Sequence, residues 1–265
     1  FRNALTRKIQ AQFLAEYSIN TLQLRRFVIL HPLEPFGEEL KDEFLKAVEA
    51  FGGEIVGIAS YDRSQTDFKN QILELGGIAD DDLSRITRKQ MLVNEEQEDF
   101  SDPAVLSRPR VDMEHWSEDG IENLKISLEL GYDAMFIPGV YDKVGLIIPQ
   151  LAFYNIEKIS LLGAKGWNSP ELIKMGGKFL KSVYFVDGFY SESHQIRVRN
   201  FVDLFEKTYG EPPSNFSAQA YDAAGIFFKS ITSGADNRLK LRESLIKVKN
   251  YPGVTGETSL LESGE

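Results

Sequence analysis

Apolar and polar residues follow two rhythms along this chain, and each change of rhythm marks an element. Ala4 to Thr21 repeats apolar residues at helical spacing, which predicts a helix with Ile9, Phe13, Leu14 and Tyr17 on one face and Thr6 as N-cap. Phe27–Leu30 is a continuous apolar run closed by His31 and Pro32, the pattern of a buried strand. A Pro/Gly turn (HPLEPFGEE) follows. Glu39 to Phe51 then reads as a helix with Leu40, Phe44, Ala47, Val48 and Phe51 on one side, stopped by Gly52 and Gly53. Ile55–Ile58 predicts a second strand, Tyr61 to Thr66 a polar loop, and Asp67 to Leu75 a helix.

The rhythm breaks over residues 76–119. That stretch is rich in charge, has little periodicity and reads as an insertion with one or two short helices, its end pinned by Met113 and Trp116. Ile121 to Leu130 resumes as a short helix. Ala134–Ile137 and Ile159–Leu162 are two further apolar runs, separated by Val144, Ile147, Ile148, Leu151 and Tyr154 at helical spacing. Strand, helix and strand within about thirty residues form a βαβ unit, so the strands are expected to be parallel. Ligands meet such sheets at the carboxyl ends of the strands. Here those loops are 138–142 and 163–169, and they carry Tyr141, Lys165, Trp167 and Asn168. Pro170–Gly176 is expected to be a short helix capped by Ser169, and Ser182–Val186 a strand. Helices are expected over Ile196 to Tyr209, over Ser217 to Thr232 with Ala220, Ala223, Ala224, Phe227 and Phe228 on its face, and over Leu239–Val248. A turn at Gly253 and Gly256 precedes a last strand, Thr258–Leu261. After residue 190 helices outnumber the strands available to cover them.

The 265 residues are 42% apolar, enough for a core, and carry a net charge of -10. That charge argues against nucleic acid as a partner, because there is no basic excess to displace counterions. No run approaches the roughly 20 apolar residues of a membrane helix. With no cysteine, disulfide and thiolate chemistry are excluded. The first residue is not Met and the last follow soon after a strand, so the chain reads as a piece of a longer protein.

Catalytic patterns are absent. There is no G-x-S-x-G elbow, no metal-ligand spacing and no cofactor motif, and of the three histidines (His31, His115, His194) neither His31 nor His194 has a partner at diagnostic spacing. The Gly pairs follow helices instead of leading into them, so they read as C-caps and not as phosphate loops. Asp62, Asp67, Asp142 and Asp187 lie near strand ends, where an acid/base pair could form, but capping and loop solvation are the cheaper explanation. Tyr141 reads as a cleft-lining aromatic, and Trp167 equally as lining or packing. Lys165 either offers a cation to an anionic ligand or points into water.

Several segments together resemble a known family: FRN…Q-A-Q…Y, the P-x-x-P-F-G turn, EAFGGEIVGIASYDRSQTDF, LLGAKGWNSPEL and RNFVDLFEKTYGEPPSNFSAQAYDAAG. They look like the type I periplasmic binding proteins, nearest to the leucine/isoleucine/valine-binding, or extracellular ligand-binding receptor, branch. The resemblance covers almost the whole chain outside the insertion. It implies an α/β fold with two lobes closing on a ligand, of which this chain holds one essentially complete lobe and part of the other. In that layout residues 1–24 and 191–252 belong to lobe one, 25–190 to lobe two, and 253–265 begin the final lobe-two segment. The family's first part of lobe one, with its contacts to the ligand's α-carboxylate, is not in this sequence.

Carried onto this sequence, the family's pattern places Phe36 where amino-acid binders often have Tyr, and keeps Tyr141. Lys165 stands where those binders hold the ligand's ammonium with an acid, a charge reversal that disfavours an ammonium. The expectation is therefore a non-enzymatic, periplasmic or lipoprotein-anchored solute-binding domain serving an ABC transporter or a sensor. It would need no cofactor and hold an amino acid or small carboxylate with Phe36, Tyr141, Lys165 and Trp167. The alternative is a regulatory domain that has lost its ligand. The G-W-N-S-P-E-L loop and acidic insertion also look similar to envelope lipoproteins described as penicillin-binding-protein activators, whose partner is a cell-wall synthase.

Overall fold

A computed structural model describes residues 3–77 and 130–262. The insertion expected over 76–119 and the helix expected over Ile121 to Leu130 thus lie almost wholly outside the described residues. The chain divides into two compact units. One runs from Ala11 to Phe185, and the other joins the residues up to Gln10 with those from Val186 onward.

The first unit is built on a parallel sheet of five strands: β1 (Arg26–Pro32), β2 (Glu54–Tyr61), β3 (Ala134–Ile137), β4 (Ser160–Gly163) and β5 (Val183–Phe185). Their order is β2-β1-β3-β4-β5. The apolar runs form the strands because burial on both faces leaves no place for polar side chains. Every residue of β1 after Arg26 is buried, as is every residue of β3. Asp133 fastens the entry to the sheet, one carboxylate oxygen accepting from the backbone N–H of Arg25 at 2.7 Å and of Arg26 at 2.8 Å.

Around the sheet lie α2 (Pro35–Ala50), α3 (Lys69–Gly76), α4 (Tyr141–Phe153) and α5 (Pro170–Gly176), preceded by α1 (Arg7–Glu16). Phe44 of α2 sets its ring 5.8 Å from Phe27 and 4.2 Å from Phe136. Val28, Leu30, Met135 and Ile137 belong to a second apolar layer with Ile72 of α3 and with Val144, Ile147 and Leu151 of α4. α2 starts four residues before the expected Glu39, because Pro35 is preorganised for the first helical position. Ser169 caps α5 as expected, accepting from the N–H of Glu171 at 3.2 Å.

α1 also differs from its expected form. It is shorter, ends in a π turn (Tyr17–Thr21), and buries Ala11, Leu14 and Ala15 while Ile9 and Phe13 stay 48% and 59% exposed. Two alanines on the inner face permit close approach, and that outweighs the larger apolar residues beside them.

The second unit holds α6 (Ile196–Tyr209), α7 (Asn215–Thr232), α8 (Arg238–Ile246) and a short antiparallel pair, β6 (Tyr251–Pro252) and β7 (Glu257–Thr258), in place of a strand over Thr258–Leu261. Phe189, Val198, Phe201, Ala218 and Val254 form its core. α7 corrects the expected face. It buries Ala218, Asp222, Ile226 and Ser230, and leaves Phe216, Phe227, Phe228 and Ile231 outside. The cause is Asp222, which is 1% exposed. Its carboxylate accepts from Val254 N–H (2.7 Å), Thr255 N–H (2.8 Å) and Thr255 Oγ1 (2.6 Å), so three bonds to the β6–β7 turn fix which side of the helix faces inward.

Candidate functional site

In this strand order the chain leaves β1 in one direction to reach β2, then crosses to β3 on the other side of β1. The carboxyl ends of β1 and β3 therefore flank a topological switch point, where an open parallel sheet leaves a crevice. A cleft of about 250 Å³ lies there, lined from β1 and the start of α2 by Pro32, Glu34 and Phe36, from the end of β2 by Tyr61 and Arg63, and from the β3–α4 turn by Gly139 to Lys143. The N-termini of α2 and α4 face the same loops, so their free N–H groups favour negative charge near the cleft.

Tyr61 forms the floor. It is 1% exposed, packs edge-on against Phe68 at 5.2 Å, and its hydroxyl has no hydrogen-bond partner among the described residues. Burial pushes its pKa up, with smaller contributions from the carboxylates of Asp142 and Glu34, so the phenol keeps its proton and remains a donor. A glycine is required opposite it: a Cβ on residue 139 would stand 2.7 Å from the Tyr61 oxygen. Charges of both signs line the walls. Arg63 pairs with Glu34 at 3.3 Å, and Lys143 donates to the Gln65 carbonyl at 3.0 Å. Asp142 is exposed beside it.

Of the residues singled out by sequence, Phe36 and Tyr141 meet at this cleft, both partly buried. Lys165 and Trp167 do not line it. Lys165 is exposed at the start of a single 3₁₀ turn (Lys165–Trp167), on the loop whose Gly166 borders Gly139 and Val140. Trp167 is a packing residue. It is 1% exposed, its ring packs against Gly163, and its indole N–H donates to the Ile137 carbonyl at 3.1 Å. Sequence reasoning missed Tyr61, Arg63, Glu34 and Lys143. For Tyr61 a signal was present: extending the run from Ile55 past Ser60 puts it in the strand, where the loop reading placed it in solvent.

No curated protein matches the sequence. The family model for the periplasmic binding proteins matches residues 128–264, about half of the chain. The chain belongs to the periplasmic binding protein family. That family is one of binding proteins, not of enzymes.

Solved structures agree in fold. A putative branched-chain amino acid ABC transporter protein from Rhodospirillum rubrum superposes with a TM-score of 0.73 at 21% identity, over 100% of this chain and 62% of its own. The substrate-binding protein LivJ of the branched-chain amino acid transporter from Streptococcus pneumoniae, in complex with isoleucine, gives 0.61 at 20% identity, over 97% and 58%. A solute-binding protein of an ABC transporter from R. palustris, in complex with benzoate, gives 0.61 at 16% identity, over 99% and 58%. This periplasmic binding protein chain thus spans about three-fifths of the length of these relatives. Among the described residues no helix is long and apolar enough to cross a membrane, and no three His, Asp or Glu side chains are grouped as metal ligands.

Proposed function

We propose that this chain is the solute-holding part of a binding protein of the branched-chain amino-acid transporter type, taking a small carboxylate-bearing solute. One observation carries the proposal: a protonated, unpartnered Tyr61 hydroxyl at the floor of a cleft placed at the sheet's switch point. An unsatisfied buried donor costs about 1–3 kcal/mol, and a ligand oxygen removes that cost. Phe36 and Tyr141 supply apolar walls, Arg63, Lys143 and the two helix N-termini favour a carboxylate, and Asp142 and Glu34 tolerate an ammonium. Lys165 stands one loop away and adds to the positive field without touching the solute. In this reading residues 25–190 are the family's second lobe, residues 1–24 and 191–252 belong to the first, and 253–265 return to the second. The relatives' ligands, isoleucine and benzoate, share a carboxylate and an apolar body, which this cleft also suits. The kept aromatic walls favour this reading over a degenerate cleft whose partner is a cell-wall synthase.

The test is calorimetric titration and thermal shift of the chain against branched-chain amino acids and small aliphatic and aromatic carboxylates. A ligand at 100 times its Kd stabilises by about 2.7 kcal/mol. Tyr61→Phe should keep the fold and weaken the best ligand about tenfold. A panel without any shift, or a hit bound equally by Tyr61→Phe and Tyr141→Ala, refutes the proposal.

A further inference from the structure

Outside the cleft, the second unit holds a separate groove of about 220 Å³ between α7, α8 and the approach to β6. Its size is below the roughly 300 Å³ at which pockets for drug-sized ligands begin, so it suits a compact group. Its charge is out of keeping with the chain. Asp and Glu outnumber Lys and Arg by 40 to 30 overall, yet the groove is lined by Lys229, Lys247 and Lys249 and, among the described residues, by no carboxylate. Glu243, beside the lining residue Ser244, does not reach it.

Two ordinary explanations for clustered lysines cover only part of this. Cations are favoured at helix C-termini, and Lys229 in the last turn of α7 and Lys247 just after α8 are so placed. Lys249 lies beyond α8 and reaches only the Leu260 carbonyl, at 3.4 Å. Surface lysines also commonly pair with carboxylates, as Lys41, Lys46, Lys181 and Lys240 do. Among the described residues none of the three groove lysines has such a pair. Three like charges share one concavity without a counter-ion among the described residues, an arrangement that self-repulsion disfavours unless an anion enters. Lys229 stands 5.9 Å over the Tyr251 ring, which shields it from water on one side. Burial also holds the Tyr251 phenol above its ordinary pKa, so it brings no negative charge of its own.

We propose that this groove is an anion site for a phosphate-class oxyanion, free or on a lipid headgroup, held by Lys229, Lys247 and Lys249 with the Ser244 hydroxyl as a neutral donor. Lysine binds phosphate as a point charge, so the site is salt-sensitive and tolerant of what the phosphate is attached to.

The experiment titrates the chain with inorganic phosphate at constant ionic strength, using chloride as control. In parallel it measures co-sedimentation with phosphatidylglycerol vesicles. Saturable phosphate binding is expected, weakened about tenfold or more in Lys247→Gln/Lys249→Gln. Lys247→Arg/Lys249→Arg should keep it, with all variants folded by circular dichroism. Vesicle binding lost in the Gln variant assigns the site to a lipid headgroup, and phosphate binding without vesicle binding assigns it to a soluble oxyanion. Equal responses to phosphate and chloride, or unchanged affinity in the Gln variant, overturn the proposal. Tyr141→Ala, in the cleft, should leave phosphate binding unchanged, so this result and that of the solute screen stand or fall separately.

Discussion

Replacing Gly163 by Ala tests how tightly the β4 loop is built. A Cβ at residue 163 would stand 2.2 Å, 2.4 Å and 2.6 Å from three ring atoms of Trp167, so the indole must move. It is 1% exposed, and its N–H is committed to the Ile137 carbonyl at 3.1 Å. Two costs therefore add. Overpacking a rigid core costs about 1–3 kcal/mol. Losing a hydrogen bond to a buried carbonyl costs a further ~1–2 kcal/mol if the indole swings away. The expected loss is about 2–5 kcal/mol, a large share of a typical stability of roughly 5–15 kcal/mol. Urea denaturation followed by far-UV circular dichroism measures it, a readout that does not depend on either tryptophan. The cause is isolated by a double-mutant cycle. With Trp167→Leu already in place, Gly163→Ala should cost less than about 1 kcal/mol, because the colliding ring is gone. Gly163→Ala within about 0.5 kcal/mol of the parent, or equal costs in the Trp and Leu backgrounds, would refute the reasoning.

Three other outcomes are expected. Asp222→Ala strips three acceptor contacts from the β6–β7 turn and should cost about 3 kcal/mol, with amide exchange rising first at Val254 and Thr255; unchanged protection there would contradict the assigned role. Burial raises the pKa of Tyr61 and Tyr132 above the ordinary value of 10.0, so the unfolded chain ionises first; stability should be complete below pH 10 and fall above it, and Tyr61→Phe should make that alkaline fall shallower. Superimposable alkaline limbs would sink this. Phe216 and Phe228 stand 82% and 63% exposed on the outer side of α7, so the folded chain should bind a hydrophobic dye, and Phe216→Ser/Phe228→Ser should lower that signal while moving stability by less than about 1 kcal/mol. A dye signal that survives both changes would place the apolar surface elsewhere.

The sheet was readable because its strands are continuous apolar runs. Phe27–Leu30 and Ala134–Ile137 admit no polar residue, and each is a fully buried strand. Helix existence was equally plain, and Ile196 to Tyr209 came out at its expected bounds. Helix orientation was not. In α7 the count of large apolar residues pointed to one face, while hydrogen bonds that Asp222 accepts from a turn more than thirty residues away chose the other. Periodicity records where apolar side chains are, and cannot record such a distant fastening. The cleft was half legible for a similar reason. Phe36 and Tyr141 sit at helix starts that a parallel sheet brings to its carboxyl edge, whereas Tyr61 and Arg63 arrive through the length of β2, which ends three residues beyond the expected Ile58. Trp167 was open to either role until its ring was seen against Gly163, a contact that spacing alone does not specify.

The division of the chain into units sets an order on its making. The five described strands of the parallel sheet lie between Arg26 and Phe185 and pair within that span, so that sheet can close on the ribosome while the C-terminal helices are still being synthesised. The other unit has no such option. Asn3 donates to the Gln219 carbonyl at 3.0 Å, so the earliest described residues must wait for α7 before they find their place. A chain cut near residue 190 would carry a finished sheet with the segment around Asn3 undocked, and limited proteolysis should cut that segment and spare the sheet.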